Sequence, residues 1–259
     1  MLVLVAHADD ESVGYGALLQ KMRQPTVVIA TDCAPRDSYF WGRFGSREAY
    51  AAIRSEEARR AMQCVGVSEL IMLAQAESRL EDQRLFLNLE PAYSALEKVV
   101  ERVQPEAIAT LAYEGGHPDH DSCSLLGARL GDQFGIPVWE APLYSRAHAE
   151  TAENCTHLVR SEAEGEMLLQ RFACESGDEV LVEIGAEELE RKQNMCAQYA
   201  SQGDFLQTFD ATREVVRPQV KYEYGRPPHD GPTNYEKWQW WMSAQEVCAK
   251  FVEFQRSIH

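Results

Sequence analysis

Basic side chains are scarce in this chain. Lys and Arg number 25 against 41 Asp and Glu in 259 residues, a formal charge of −16. That deficit argues against nucleic acid as a partner, because non-specific binding depends on neutralising phosphates with Lys and Arg, and anionic membranes are disfavoured by the same sign. Long hydrophobic runs are missing too: no stretch approaches the roughly 18 apolar residues of a membrane span. The opening MLVLVAHADD meets acids too early for a signal sequence, so a cytoplasmic location and no membrane partner are expected. There is no CxxC spacing, and the seven cysteines are an odd number, which excludes a disulfide framework and a cysteine zinc site as expectations. They read as reduced, mostly buried thiols. Repeats and low-complexity segments are absent.

What is present is an ordinary globular composition, 45% hydrophobic and 25% charged, long enough for one sizeable core. Short aliphatic or β-branched runs at 2–6, 26–31, 69–73, 106–112 and 137–143 predict strands. Segments 12–23, 47–64, 88–104 and 119–134, with apolar positions three and four apart, predict the helices between them. This alternation predicts an α/β fold with a mostly parallel sheet covered by helices on both faces. Beyond about residue 145 the pattern loosens, with a strand expected at 179–184 and helices at 186–201 and 242–255. The Pro-, Gly- and aromatic-rich run at 217–241 reads as an irregular surface loop. The expected organisation is a catalytic core over 1–145 and a smaller, irregular extension over 146–259 that completes the substrate cleft, the two forming one compact domain.

In an open parallel sheet, ligands bind beyond the carboxyl ends of the strands. AHADDE, Ala6 to Glu11, follows the first predicted strand, and YEGGHPDHD, Tyr113 to Asp121, follows the fourth. The first stands where a dinucleotide-binding protein carries its glycine-rich turn, but its carboxylates would repel a pyrophosphate, and Gly14-x-Gly16 lacks a third glycine. Helix capping accounts for one aspartate and leaves His7, Asp9 and Asp10 together unexplained. In the second segment Pro118 suits the first position of a helix, with His117 and His120 around its start and Gly115 and Gly116 letting backbone approach a ligand. A structural reading has His117 capping that helix. If the first and fourth strands are neighbours, His7, Asp10 and His120 converge as a two-histidine, one-carboxylate metal set with open positions, leaving Asp9 and His117 for proton transfer and oxyanion stabilisation.

The two segments resemble the LmbE-like, or PIG-L-like, deacetylase family, whose hallmarks are AHPDDE after the first strand and HPDH later; here Ala8 replaces the proline. The resemblance continues in IRSEEARRAMQCVGV, residues 53–67, and in KQNMCAQYASQ, residues 192–202. It implies a Rossmann-like sheet and a divalent cation, usually Zn2+ with Fe2+ or another transition metal as alternatives. The implied reaction removes an N-acetyl group from an amino sugar or glycoconjugate by attack of metal-bound water on the amide carbonyl. By motif position, His7, Asp10 and His120 are the ligands and Asp9 is the general base. His117 is the oxyanion stabiliser or acid, and Asp119 the carboxylate that orients His117. Arg54 corresponds to the arginine that binds substrate hydroxyls or phosphate. Where some members place a tyrosine two residues before the first histidine of HPDH, this chain has Gly115, with Tyr113 or a C-terminal residue as the substitute. A homo-oligomer is a family-level expectation.

Asp32, in TDCAPRDS after the second strand, is placed to contact sugar hydroxyls or to serve as a turn residue. Cys33 lacks a partner base and is set aside as a nucleophile. Tyr235, Trp238, Trp240 and Trp241 suit stacking on a sugar ring, although burial in the core or at a subunit contact is commoner. His229 stands beside Asp230 in a loop that could reach the site, and 161–171 reads as a solvated helix face. Two rival readings are a non-haem iron oxygenase, because His7-x-Asp9 with His120 far downstream also satisfies a facial-triad spacing, although that class usually sits on a jelly roll, and a non-catalytic, metal-stabilised sugar-binding protein.

Overall fold

The computed structural model describes residues 1–146, 159–160, 167–170, 172 and 176–258. Its parallel heart is five short strands, β1 (Leu2–Val5), β2 (Thr26–Ile29), β3 (Glu69–Met72), β4 (Ile108–Leu111) and β5 (Val138–Ala141). They lie in the order β3-β2-β1-β4-β5. Leu2 of β1 pairs with Thr26 on one side and Ile108 on the other, so β1 and β4 are neighbours and the chain order reverses between them. Such a switch point opens a crevice at the carboxyl ends of the strands. All residues of β1, β2 and β4 are buried, as near-continuous apolar strands must be when both faces of the sheet are covered.

Nine helices are seen among the described residues. They are α1 (Asp10–Leu19), α2 (Ser38–Trp41), α3 (Arg47–Cys64), α4 (Leu89–Val103) and α5 (Pro118–Phe134), then α6 (Ala186–Ala197), α7 (Gly203–Leu206), α8 (Asn234–Lys237) and α9 (Ala244–Ser257). Their starts follow capping chemistry: the Ser46 hydroxyl accepts the Ala49 N–H at 3.1 Å, Pro118 occupies the first position of α5, and Ser243 with Glu246 closes a capping box on α9. None of the helices is long and apolar enough to cross a membrane.

The second half departs further from expectation. A three-stranded antiparallel sheet joins β6 (Ser145–Arg146), β7 (Val159–Arg160) and β8 (Met167–Leu169), the last running through the stretch read as a solvated helix face; 161–166 and 171 lie outside the described residues. The expected strand at 179–184 shortens to β9 (Val180–Leu181). A strand read as part of a loop, β10 (Val215–Pro218), runs antiparallel between β5 and β9, extending the main sheet to seven strands. Its Arg217 reaches Glu140 of β5 at 2.8 Å, a buried ion pair that hydropathy periodicity does not signal. Among the described cysteines, 33, 64, 123, 196 and 248 are free; 155 and 174 lie outside the described residues.

Candidate functional site

The turn after β1 resolves the question of capping. Asp9 is the residue before α1, yet its side chain makes no cap hydrogen bond, and its backbone sits at φ 133°, a region that non-glycine residues rarely occupy. The Asp10 carboxylate turns back to accept the His7 N–H at 2.8 Å. Neither acid serves the helix terminus, so both are released for other work. The strained turn is held by Glu11, which accepts the Asp9 N–H at 3.1 Å and is itself held by the Ser12 and Tyr199 hydroxyls.

Pairing of β1 with β4 brings the second segment to the same crevice. His7 Nδ1 lies 3.3 Å from His120 Nε2 and 3.5 Å from Asp10 Oδ2, and His120 Nε2 lies 3.2 Å from Asp10 Oδ1. Four tetrahedral ligands about 2.0–2.1 Å from a zinc ion are about 3.3 Å apart, so these three groups already stand at the edges of such a polyhedron. Two ring nitrogens facing each other among buried carboxylates are a poor hydrogen bond and a good cation site. The electrostatics agree. Burial lowers the His7 pKa, but Asp82, Asp10 and Asp119 outweigh it and hold the imidazole well above its ordinary value. Burial likewise raises Asp10, yet His120 and His7 pull harder and keep it ionised.

His7 uses its other nitrogen differently from the sequence expectation for Asp119. Nε2 faces Asp119 Oδ2 and Asp82 Oδ1, each at 3.2 Å. The Asp119 carboxylate also accepts the Gln83 N–H at 2.6 Å and the Leu85 N–H at 2.9 Å, whereas its approach to His117 Nδ1 is 3.9 Å. What His117 Nδ1 accepts is the backbone N–H of Asp119, at 3.1 Å. Asp119 therefore supports His7, in the manner of a carboxylate behind a ligating imidazole, and does not orient His117. His117 does cap α5, as one reading expected, and that bond places its remaining proton on Nε2. Burial, then the neighbouring His7 and His120, push the His117 pKa well below its ordinary value, so the ring is neutral and donates from Nε2 alone.

His7, Asp9, Asp82, His117 and Tyr144 line a cleft of about 750 Å³, and Asp10, Asp119 and His120 lie buried behind this lining, against His7. Arg54 also lines the cleft, but its guanidinium bonds the Ala8 carbonyl and lies 3.1 Å from Asp9 Oδ2, so its first partner is the aspartate. Burial pushes the Asp9 carboxyl up to about 7, with Arg54 pulling the other way. Cys33 is in the wall, its thiol pushed up to about 12 by burial and accepting the Ala8 N–H, which fits its dismissal as a nucleophile.

Several expectations are corrected. Asp32 is absent from the cleft lining: it is ion-paired with Arg47 and accepts the Ala34 and Asp82 N–H groups at 3.1 Å each, so it organises its loop. Tyr113 is buried with its hydroxyl on the Arg226 carbonyl at 2.6 Å, away from the site. The tyrosine in the cleft is Tyr144, stacked on His120 at 4.8 Å with 15° between the rings. Gly116 makes room for that ring, not for a ligand: a Cβ there would lie 2.4 Å from Tyr144 Cβ. His229 packs on Gly115, outside the cleft. Tyr235 is core, Trp241 stacks on Phe86, and Trp238 and Trp240 line the cleft. Sequence reasoning missed Asp82 and Tyr144; both follow strands, Asp82 ten residues beyond the end of β3.

Glu114 fixes Tyr144 from behind, its Oε1 accepting the Leu143 and Tyr144 N–H groups at 2.9 and 2.7 Å while Oε2 is buried without a partner. Burial pushes its carboxyl from 4.5 up to about 8. The folded protein therefore keeps a proton that the unfolded chain has released, and stability falls as pH rises from about 4.5 to about 8. Glu114→Gln, which keeps the acceptor without the charge, is expected to flatten that fall. Urea midpoints at pH 5 and pH 8 check this; a variant-to-wild-type difference independent of pH would refute it.

Fold and site together define a Rossmann-like α/β protein with a histidine–carboxylate cluster, able to hold a divalent cation, at its switch point. The sequence profile of the PIG-L family, described as GlcNAc-PI de-N-acetylase, matches residues 2–130, and over these residues the chain belongs to that family. The probable N-acetyl-alpha-D-glucosaminyl L-malate deacetylase 2 of Bacillus subtilis (strain 168) is 30% identical over 130 residues, 48% of this chain and 56% of that one. The chain thus spans about half the length of the curated relatives it matches. Among solved structures, a deacetylase of the teicoplanin biosynthesis pathway superposes with a TM-score of 0.61 at 17% identity, covering 86% of this chain and 98% of that one. The N,N'-diacetylchitobiose deacetylase of Pyrococcus horikoshii superposes at 0.51 with 18% identity, covering 83% and 82%. So does the 4-carboxy-2-hydroxymuconate hydratase GalB of Pseudomonas putida KT2440, at 0.51 and 15%, covering 86% and 98%. These likenesses establish the fold; with a hydratase among them, the chemistry must be argued from the site.

Proposed function

We propose that this chain is a cytoplasmic, metal-dependent N-deacetylase that hydrolyses the acetamido group of an amino sugar or glycoconjugate. His7, Asp10 and His120 would hold the cation, with Zn2+ the first candidate and Fe2+ the second. The cation supplies Lewis acidity, lowering the pKa of water and polarising a carbonyl. Asp9 accepts the proton of the attacking water and passes it to the departing amine. Arg54 fixes the Asp9 carboxylate in place, and His117 donates its Nε2–H to the developing oxyanion. Asp119 and Asp82 set the tautomer of His7.

The observation that carries this reading is the surplus: once His7, Asp10 and His120 are assigned to a cation, a base, Asp9, and a donor, His117, remain beside His7 in the cleft lining. A binding protein would need neither. The oxygenase alternative takes His7, Asp9 and His120 as its facial triad, but the sheet here is mainly parallel and doubly wound, not a jelly roll. The test is amine release from a panel of N-acetylated sugars by protein stripped with chelator and reloaded with zinc or ferrous iron. Release restored by metal is the expected result. Metal bound without release from any acetamide, or oxygen uptake in its place, would overturn the proposal.

A further inference from the structure

We infer that the outer half of the cleft is a subsite for a second sugar ring, so that the substrate is an N-acetylated amino sugar joined to at least one further sugar residue. This rests on the deacetylase reading for the position of the acetamido group, and on separate residues for the subsite.

Size is the first argument. A cleft of about 750 Å³ is in the upper part of the range, roughly 300–1,000 Å³, that takes drug-sized ligands, whereas one acetamido sugar has only about 15 non-hydrogen atoms. The second is the wall. Trp240 packs edge-on to His117 at 5.0 Å, and Trp238 follows at 5.2 Å from Trp240, so the two indoles start at the proposed oxyanion donor and continue away from it. Trp238 is 41% exposed. Tyr39 and Phe40 of α2 line the same cleft; none of the four residues of that helix is buried, and Tyr39 is 87% exposed. Aromatic rings left in water at the mouth of a cleft are unused stacking surface.

The polar side chains of the same lining select the ligand. Arg43, Gln202 and Asp204 line the cleft beside the aromatics, supplying donors and acceptors. A pyranose matches this mixture, having a C–H face to lie on an indole and a rim of hydroxyls to meet polar groups. A purely apolar or aryl aglycone would leave the polar groups unmatched. An anionic aglycone is not favoured either, because the Arg43 guanidinium is already engaged by the Ser201 carbonyl at 3.0 Å and Asp204 adds a carboxylate to the same lining.

The test compares kcat/KM of the zinc-loaded full chain on N-acetylglucosamine, on its β-1,4-linked dimer and other N-acetylglucosaminyl hexoses of α and β linkage, and on a nitrophenyl glycoside. At least one disaccharide is expected to exceed the monosaccharide by about tenfold or more, the scale of one or two aromatic stacking contacts. Trp238→Ala and Tyr39→Ala, at exposed positions, should each collapse that ratio toward one. Disaccharides no better than the monosaccharide, or an aryl glycoside that gains where they do not, would overturn the subsite. If nothing is hydrolysed, the deacetylase reading fails, and binding followed by tryptophan fluorescence still decides the subsite: tighter disaccharide binding that Trp238→Ala abolishes supports it, and equal affinity for one and two rings overturns it.

Discussion

Asp9→Asn is expected to lower kcat by about 10²–10⁴ while leaving the content of bound metal unchanged. The carboxamide has the shape of the carboxylate and can face the same groups, but it accepts no proton at neutral pH. The variant does not strand a buried cation, because Arg54 keeps its bond to the Ala8 carbonyl and has Glu57 at 3.8 Å as a second carboxylate. The turn should survive too. It is fixed by main-chain bonds from Ser12 and Val13 to the Asp9 carbonyl, at 2.9 and 3.0 Å, and by Glu11 on the Asp9 N–H, none of which uses the Asp9 side chain. A fall in kcat with KM and metal unchanged would locate the loss in the transition state. Hydrolysis at the wild-type rate would remove Asp9 from the proton transfer, and loss of metal would mean that it, and not Asp10 alone, holds the cation.

The residues on which that prediction depends were legible in the sequence for a topological reason. A motif directly after a buried apolar strand is placed by the strand, and parallel β1 and β4 are adjacent, so His7 and His120, 113 positions apart, could be brought together on paper before any side chain was placed. What lay beyond reach was fixed by tertiary hydrogen bonds. Asp82 comes from an irregular loop with no periodicity and is positioned by its N–H on Asp32 and by the bonds that Gln83 and Leu85 give to Asp119. That same pair of amides is why Asp119 belongs to His7 and not to His117. Tyr113 and Tyr144 stand in comparable places after β4 and β5, yet one ring enters the core and the other covers His120, a choice made by Glu114 and by the missing Cβ of Gly116. In the second half, β10 was hidden because four residues ending in proline, VVRP, carry no pattern of their own and gain strand form only by pairing with β5 and β9.

Lys192→Met is expected to cost about 3–5 kcal/mol of stability, a large share of the roughly 5–15 kcal/mol that holds a typical domain. The lysine is fully buried on α6, its Nζ 2.8 Å from Glu214 Oε1 and 2.9 Å from the Val13 carbonyl of α1. Glu214 in turn accepts the Ala17 and Leu18 N–H groups of α1, at 2.6 and 3.0 Å, and immediately precedes β10. One ion pair thus joins the first helix of the core to the helix of the extension that sequence patterning foresaw and to the strand that it did not. The stem of Lys192 passes so close to Gly16 that a Cβ there would lie 2.8 Å from Lys192 Cγ, and methionine, unbranched and of similar length, preserves that packing while removing the charge. The loss is then electrostatic: a carboxylate left in the interior without its cation, and a carbonyl without its donor. Adding Glu214→Gln to Lys192→Met removes the uncompensated charge and should recover part of the deficit, so urea midpoints of the two single variants and the double variant form a cycle whose coupling reports the pair. A single variant within 1 kcal/mol of wild type, or a double variant equal to the sum of the two singles, would show that packing over Gly16, and not the ion pair, ties the extension to the core.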